Sequence, residues 1–133
     1  MYLIDTNVLS EARRGSPQAI TWLRSIDAAA VHVSVLSLSE IMRGIALKAR
    51  SDQPTANVLT AWLDGLRRDH ASRILPITDL IALEWGRLAA QRPRGMADGL
   101  IAATALVHNH TLVTRNVTDF ADIGLALIDP WNA

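Results

Sequence analysis

The sequence contains no cysteine, which excludes disulfide bonds and metal sites built from thiolates. This absence fits a reducing compartment, and we expect a cytoplasmic protein. The chain also lacks a net charge, because its 13 basic and 13 acidic residues cancel. A diffuse electrostatic attraction to nucleic acid is therefore not expected, and any such binding needs a local rim of basic residues.

Long hydrophobic runs are absent as well, although half of the residues are hydrophobic. No run approaches the roughly 20 apolar residues that a membrane helix needs. The N-terminus has no basic flank and Asp5 interrupts it early, which is not the pattern of a signal peptide. We expect residues 1–133 to form one domain with no membrane partner. The high apolar content predicts an interface with a subunit or partner.

Short apolar strands alternate with amphipathic helices along the chain. Strands are predicted at residues 2–4, 31–35, 74–77, 111–114 and 126–130. Helices are predicted at residues 8–15, 17–26, 38–50, 55–70, 79–91 and 96–106. This alternation indicates an α/β fold with a parallel sheet and crossover connections. Pro76 makes the third strand short or places it at an edge.

Two acidic residues follow the first two predicted strands. Asp5 ends the first strand, where open α/β sheets place their ligands, although an isolated aspartate there is more often a cap or turn residue. Ser37 and Glu40 have the spacing of a helix capping box, which explains Glu40 by helix-end chemistry alone. Glu40 also lies just past a strand, so a capping role and a site role are both open.

Two further acidic residues belong to the second half of the chain. Asp98 lies in the first turn of a helix of small residues, where the helix dipole favours a carboxylate. Its neighbour Gly99 costs about as much helix stability as that interaction gives, roughly 0.5–1 kcal/mol. A close approach to the backbone would explain this glycine. Asp119 follows the fourth strand.

Parallel strands would gather these four carboxylates at one edge of the sheet. They would repel one another, and desolvation would raise their pKa values, unless a cation lies among them. A cluster of oxygen ligands without histidine suits Mg²⁺ or Mn²⁺; His108 and His110 are spaced too closely to share a helix face. Such ions support hydrolysis of phosphodiesters.

Four segments make the sequence resemble a PIN-domain ribonuclease of the VapC-like (FitB-like) group of type II toxins. They are LIDTNVLS at 3–10, SVLSLSEIMRG at 34–44, ADGLIAATA at 97–105 and LVTRNVTDF at 112–120. The resemblance implies a three-layer α/β/α fold with a central parallel sheet of about four or five strands. It also implies Mg²⁺- or Mn²⁺-dependent endoribonuclease activity, a homodimer, and a cognate antitoxin that blocks the site.

The same resemblance assigns roles to individual residues. Asp5, Glu40 and Asp98 become the core acidic triad for catalysis and metal binding. Asp119 takes the fourth acidic position, although some relatives carry this acid nearer to Asn116. Supporting hydrogen bonds are assigned to Thr6, Asn7, Thr114 and Asn116.

Two other classes of protein are alternatives to this interpretation. A phosphatase of the haloacid dehalogenase type also opens with an aspartate after a strand, but it needs a second aspartate where this chain has Asn7. A non-catalytic interaction module with an acidic edge is the other alternative. Motifs of P-loop and dinucleotide-binding enzymes are absent from the sequence.

Contacts with RNA and protein partners are expected on two surfaces. A neutral chain must concentrate its positive charge near the site, and the candidates are Arg13, Arg14, Arg43, Arg92, Arg94 and Arg115. The apolar surplus is expected on the helix at 55–70, where one stripe carries Val58, Leu59, Trp62, Leu63 and Leu66. This stripe would hold a homodimer or seat an antitoxin helix in a hetero-oligomer. The antitoxin could then insert a basic side chain among the carboxylates.

Overall fold

The computed structural model describes residues 1–132, and its elements alternate as the sequence predicts. The strands are β1 (Tyr2–Ile4), β2 (Val31–Ser34), β3 (Ile74–Leu75), β4 (Thr111–Val113) and β5 (Leu127–Ile128). The helices are α1 (Thr6–Arg13), α2 (Pro17–Arg24), α3 (Val35–Ala49), α4 (Gln53–Asp69), α5 (Asp79–Gln91), α6 (Met96–His108) and α7 (Val117–Phe120). A single 3₁₀ turn, Ala28–Ala30, precedes β2.

All five strands are parallel and lie in the order β3-β2-β1-β4-β5. The strand β1 is therefore central, with Leu3 paired to His32 on one side and to Leu112 on the other. The strand β3 lies at an edge, as Pro76 predicts. The carboxyl ends of β1, β2 and β4 consequently meet at one edge of the sheet.

Side chains of β1 alternate between two hydrophobic cores, one on each face of the sheet. Ile4 joins a core with residues of α1, α2, α3 and α4, whereas Leu3 joins a core with residues of α5 and α6. Helices thus cover both faces, which is the arrangement that keeps a parallel sheet buried. The predicted three-layer α/β/α fold with a five-stranded parallel sheet is confirmed. No helix of residues 1–132 is long and apolar enough to cross a membrane.

The predicted capping box at Ser37 and Glu40 is wrong. Helix α3 begins three residues earlier, and the Ser34 hydroxyl caps it by accepting a hydrogen bond from the Leu36 amide at 3.0 Å. Ser37 is instead buried within the helix and Glu40 lies in its second turn. A Ser at the end of a strand competes with a Ser inside the next helix for the same cap, and the earlier one captures the free amides.

The predicted apolar stripe of α4 is only partly correct. Leu63 and Leu66 are buried, and Leu59 and Trp62 pack against the same core, but Val58 is 62% exposed. The stripe therefore covers its own domain rather than forming the main apolar surplus. Large exposed apolar side chains also occur on α5, at Leu80 and Leu83.

Candidate active site

Asp5 lies at the carboxyl end of the central strand and begins helix α1. Its amide donates to the Val113 carbonyl oxygen at 2.8 Å, which continues the pairing of β1 with β4. Its side chain is the N-cap of α1, with Oδ1 accepting from the Thr6 amide at 2.7 Å. Because strands flank it on both sides, Asp5 is only 5% exposed.

The second carboxylate oxygen of Asp5 is held by Thr114 and Asn7. The buried Thr114 hydroxyl, one residue past β4, donates to Oδ2 at 2.8 Å. The Asn7 amide nitrogen lies 3.4 Å from the same oxygen. Asn7 Oδ1 in turn accepts from the Arg115 amide, and Thr114 Oγ1 accepts from the Asn116 amide. These contacts fix the orientation of the Asp5 carboxylate.

Burial raises the pKa of Asp5 from 3.8 to about 6, even though the Thr114 and Thr6 hydrogen bonds act in the opposite direction. The negative charges of Asp98 and Glu40 raise this pKa further. Within residues 1–132, no Lys, Arg or His side chain forms an ion pair with any of these three carboxylates. The site therefore holds negative charge without a compensating cation among the described residues.

Glu40 faces the site from α3 through the side chain of Thr6. The Thr6 hydroxyl donates to Glu40 Oε1 at 2.8 Å and lies 2.7 Å from the Ser37 hydroxyl. Glu40 is exposed while Ser37 is fully buried. With the capping box excluded, no helix-end role for Glu40 remains.

Asp98 and Asp119 line a common cavity of about 240 Å³. Asp98 lies in the first turn of α6, where desolvation and then the charge of Asp119 raise its pKa. The adjacent Gly99 is explained by packing: a Cβ there would lie 2.0 Å from Cζ3 of Trp85. The group that approaches the Gly99 backbone is thus the indole of Trp85 on α5. This contact explains the glycine without a ligand.

The four carboxylates form a chain of neighbours rather than a closed cluster. Asp5 senses the charges of Asp98 and Glu40, and Asp98 senses that of Asp119. Among residues 1–132, no three His, Asp or Glu side chains lie close enough to enclose a metal ion directly. Asn116 and Asp119 are both exposed, but of the two only Asp119 lines the shared cavity.

The basic residues expected to bind RNA occupy different environments. Arg13 and Arg14 line a cavity of about 450 Å³ that also contains Thr6 and Glu40. Arg43 is exposed on α3, and the Arg115 guanidinium lies 4.5 Å from the ring centroid of Trp131. The Arg94 side chain is only 4% exposed and pairs with Asp122, which makes it unavailable to a nucleic acid.

Comparison with known proteins identifies the family. The family model for the PIN domain matches residues 2–125. The chain belongs to the PIN-domain family. This confirms the resemblance inferred from the four sequence segments.

Curated proteins and solved structures resemble this PIN domain over its whole length. Toxin FitB of Neisseria gonorrhoeae is 32% identical over 99% of both chains. The VapC ribonuclease Y4jK of Sinorhizobium fredii is 30% identical over 98% of both chains. The crystal structure of FitAcB from Neisseria gonorrhoeae has a TM-score of 0.91 and 32% identity, covering 100% of both chains. A toxin–antitoxin complex from Klebsiella pneumoniae has a TM-score of 0.71 and 28% identity, covering 98% of both chains.

Sequence reasoning missed two features of this PIN domain. Ser37 belongs to the hydrogen-bonded group around Thr6, but its spacing to Glu40 imitates a cap. The pairing of Asp122 with Arg92 and Arg94 had no signal, because 28 or more residues separate the partners. Only the fold brings them together.

Proposed function

We propose that this PIN domain is a Mg²⁺- or Mn²⁺-dependent endoribonuclease that acts as the toxin of a toxin–antitoxin pair. The main observation in support of this proposal is the buried Asp5 carboxylate. It lies near the negative charges of Asp98 and Glu40 and has no cationic partner within residues 1–132. The curated relatives named as ribonucleases and toxins support this assignment. An aspartyl-phosphate phosphatase is not favoured, because Asn7 takes the second acidic position and uses its amide to orient Asp5.

The donor set fits a hard divalent cation. All four acidic side chains offer oxygen, and Mg²⁺ typically binds one or two carboxylates directly while it keeps several waters. Asp5 and Asp98 would hold the ion, with Glu40 and Asp119 contacting it directly or through water. When bound, the ion activates water as a nucleophile and stabilises the charge of the phosphodiester under attack.

The chain's own residues prepare this chemistry in separate ways. Thr6, Asn7 and Thr114 hold Asp5 in one orientation, so little reorganisation accompanies binding. Glu40 uses Oε1 for the Thr6 hydroxyl. Its other oxygen has no hydrogen bond within residues 1–132 and can accept a proton from an attacking water.

RNA would be held beside the carboxylates by the basic wall of the 450 Å³ cavity. Arg13, Arg14 and Lys48 line that cavity, with Thr6 and Glu40 among the same lining residues. Arg43 and Arg115 extend the basic rim around the site. Local pairing of these cations with phosphates would give a neutral protein the affinity for RNA that its net charge does not provide.

An antitoxin segment would occupy a neighbouring apolar cavity of about 380 Å³. Leu9, Leu23 and Leu66 line it, and it shares Arg13 and Trp62 with the basic cavity. A peptide seated there can continue towards the carboxylates. A basic side chain at its end would compete with the metal for the same negative charge. Solved neighbours that are toxin–antitoxin complexes support a partner of this kind.

A homodimer is also proposed, with α5 rather than α4 as the contact. Leu80 and Leu83 are 60% and 71% exposed. Their spacing of three residues puts them on one face of the helix, and adjoining exposed apolar side chains mark interaction surfaces. Leu83→Glu should shift the sedimentation coefficient towards the monomer without unfolding the protein. An unchanged oligomeric state would exclude this face.

Cleavage of labelled RNA tests the enzymatic proposal. Wild-type protein should cleave with Mg²⁺ or Mn²⁺ and stop with EDTA, and Asp5→Asn or Asp98→Asn should lower the rate by about 100-fold or more. Asp64→Asn, on the exposed face of α4, removes an equal charge away from the site and should leave the rate unchanged. Full activity of a folded Asp5→Asn protein, or equal cleavage by metal-free protein, would refute the assignment.

A further inference from the structure

Arg92, Arg94 and Asp122 form an ionic cluster beside the cavity that Asp98 and Asp119 share. Arg92 Nε lies 2.9 Å from Asp122 Oδ2, and its Nη2 lies 3.2 Å from Oδ1. Arg94 approaches the same carboxylate with Nη2 at 2.8 Å and Nη1 at 3.2 Å. Both guanidinium groups therefore bind one carboxylate in a bidentate manner, which fixes their mutual orientation.

The cluster connects two segments that carry acidic site residues. Arg92 and Arg94 belong to the connection between α5 and α6, and Asp98 follows in the first turn of α6. Asp122 lies two residues after the end of α7, which contains Asp119. Arg92 Nη2 also donates to the Asp119 main-chain carbonyl at 2.9 Å. Arg92 thus links the backbone of Asp119 to the connection that leads into α6 and Asp98.

This geometry differs from that of an ordinary surface ion pair. The Arg94 side chain is 4% exposed, and it also donates from Nε to the Leu88 carbonyl at 3.2 Å. By contrast, the Arg87–Glu84 and Arg14–Glu11 pairs join neighbouring turns of a single helix. Such isolated pairs contribute little, whereas networks with bidentate geometry hold their partners in place.

Asp122 also determines which carboxylate the guanidinium groups of Arg92 and Arg94 bind. Its carboxylate accepts from both guanidinium groups, and these bonds hold the pKa of Asp122 well below its usual range. Neither Arg92 nor Arg94 pairs with the side chains of Asp98 or Asp119 in residues 1–132. Arg92 and Arg94 line the same cavity as Asp98 and Asp119. Without Asp122, both guanidinium groups would lie beside these site carboxylates with no other ion-pair partner in residues 1–132.

We propose that Asp122 is a positioning residue, which through Arg92 and Arg94 sets the spacing of Asp98 and Asp119 and keeps both carboxylates available to a divalent cation. This inference rests on the proposed function of the site as a metal-dependent nuclease. Partners outside the ligand shell that orient metal ligands typically change metal affinity by about 10–100-fold when they are removed.

Titration of purified protein with Mn²⁺, followed by calorimetry, tests the proposal independently of activity. Asp122→Asn keeps the shape of the side chain but loses its charge, and it should raise the Mn²⁺ dissociation constant about 10-fold. Arg94→Lys keeps the charge but loses the bidentate fork, and it should act in the same direction. Glu84→Gln breaks the exposed Arg87–Glu84 pair of α5 and should leave Mn²⁺ affinity unchanged.

RNA cleavage measured against Mn²⁺ concentration gives the second readout. Asp122→Asn should need about 10-fold more Mn²⁺ for half-maximal rate and should approach the wild-type rate at saturation. Wild-type Mn²⁺ affinity in folded Asp122→Asn and Arg94→Lys proteins would overturn the inference. Arg92→Lys, at an exposed side chain, gives the same test if those variants do not fold. Absence of Mn²⁺ binding by wild-type protein would instead refute the proposed function.

Discussion

Gly99→Ala is expected to destabilise the protein, although alanine is the better helix former. A Cβ at this position of α6 would lie 2.0 Å from Cζ3 and 2.3 Å from Cε3 of Trp85. Ordinary van der Waals contact begins at 3.4 Å. The indole, which packs against the core of α5 and α6, would have to move by more than an ångström.

Two opposing effects decide the size of this change. Overpacking of a well-filled core costs typically about 1–3 kcal/mol of unfolding free energy. Replacing glycine by alanine within a helix returns about 0.5–1 kcal/mol. The net loss is therefore about 1 kcal/mol, which lowers the melting temperature of a domain of this size by about 3–5 °C.

Thermal unfolding with matched variants isolates the steric cause. Gly86→Ala, on α5 next to Trp85, has nothing within 4 Å of the added Cβ and should raise stability by about 0.5–1 kcal/mol. The two glycines thus predict shifts of opposite sign. In a Trp85→Leu background the clash is removed, so Gly99→Ala should become neutral or stabilising. A Gly99→Ala protein at least as stable as wild type, or an unchanged penalty in the Trp85→Leu background, would refute the reasoning.

Three further changes probe the acidic edge. Without metal, the raised pKa of Asp5 means that its contribution to stability is complete below about pH 4 and is lost as the pH rises through about 6. In EDTA, the unfolding free energy of the wild-type protein should thus fall by about 1–1.5 kcal/mol between pH 5 and 7.5 because of this group. Chemical denaturation should show a smaller fall for Asp5→Asn. Equal falls for the two proteins would exclude the raised pKa of Asp5. Glu40→Gln should fold normally, since glutamine can still accept from Thr6, but should cleave RNA far more slowly; normal turnover per folded molecule would return Glu40 to a structural role. Thr114→Val should lower the unfolding free energy by about 1–3 kcal/mol at pH 7.5, because it leaves a buried carboxylate short of a donor, and a urea midpoint equal to that of wild type would contradict this.

Local sequence patterns predicted the strands and the family because each depended on adjacent residues. The run Tyr2–Ile4 is apolar on both faces, and it becomes the central strand of a covered sheet. Pro76 predicted an edge strand, and β3 lies at an edge. Asp5 could be placed at the end of β1 because it directly follows the apolar run. These features require no knowledge of distant contacts.

Features that depended on competition or on distant residues were predicted less well. Ser34 and Ser37 both fit a helix cap, and only the observed end of β2 selects Ser34. Val58 fits the stripe of α4 by spacing, yet the layers beneath the helix do not extend to it. Gly99 is unusual within a helix, but the residue that requires it, Trp85, lies on another helix. The cluster of Asp122 with Arg92 and Arg94 could not be predicted from the sequence, because its partners approach one another only in the folded chain.

The central position of β1 explains why Asp5 has no cationic partner within residues 1–132. The strands on either side end in Ser34 and in the residue before Thr114, so the groups nearest to Asp5 are hydroxyls and amides. These neutral donors orient the carboxylate but compensate only part of the cost of burying its charge, and its pKa stays near 6. At neutral pH the Asp5 carboxylate is ionised, so the proposed divalent ion would relieve an existing electrostatic penalty on binding. If the proposed ion binds, protonation of Asp5 would compete with it, and we predict that metal affinity weakens as the pH falls below about 6.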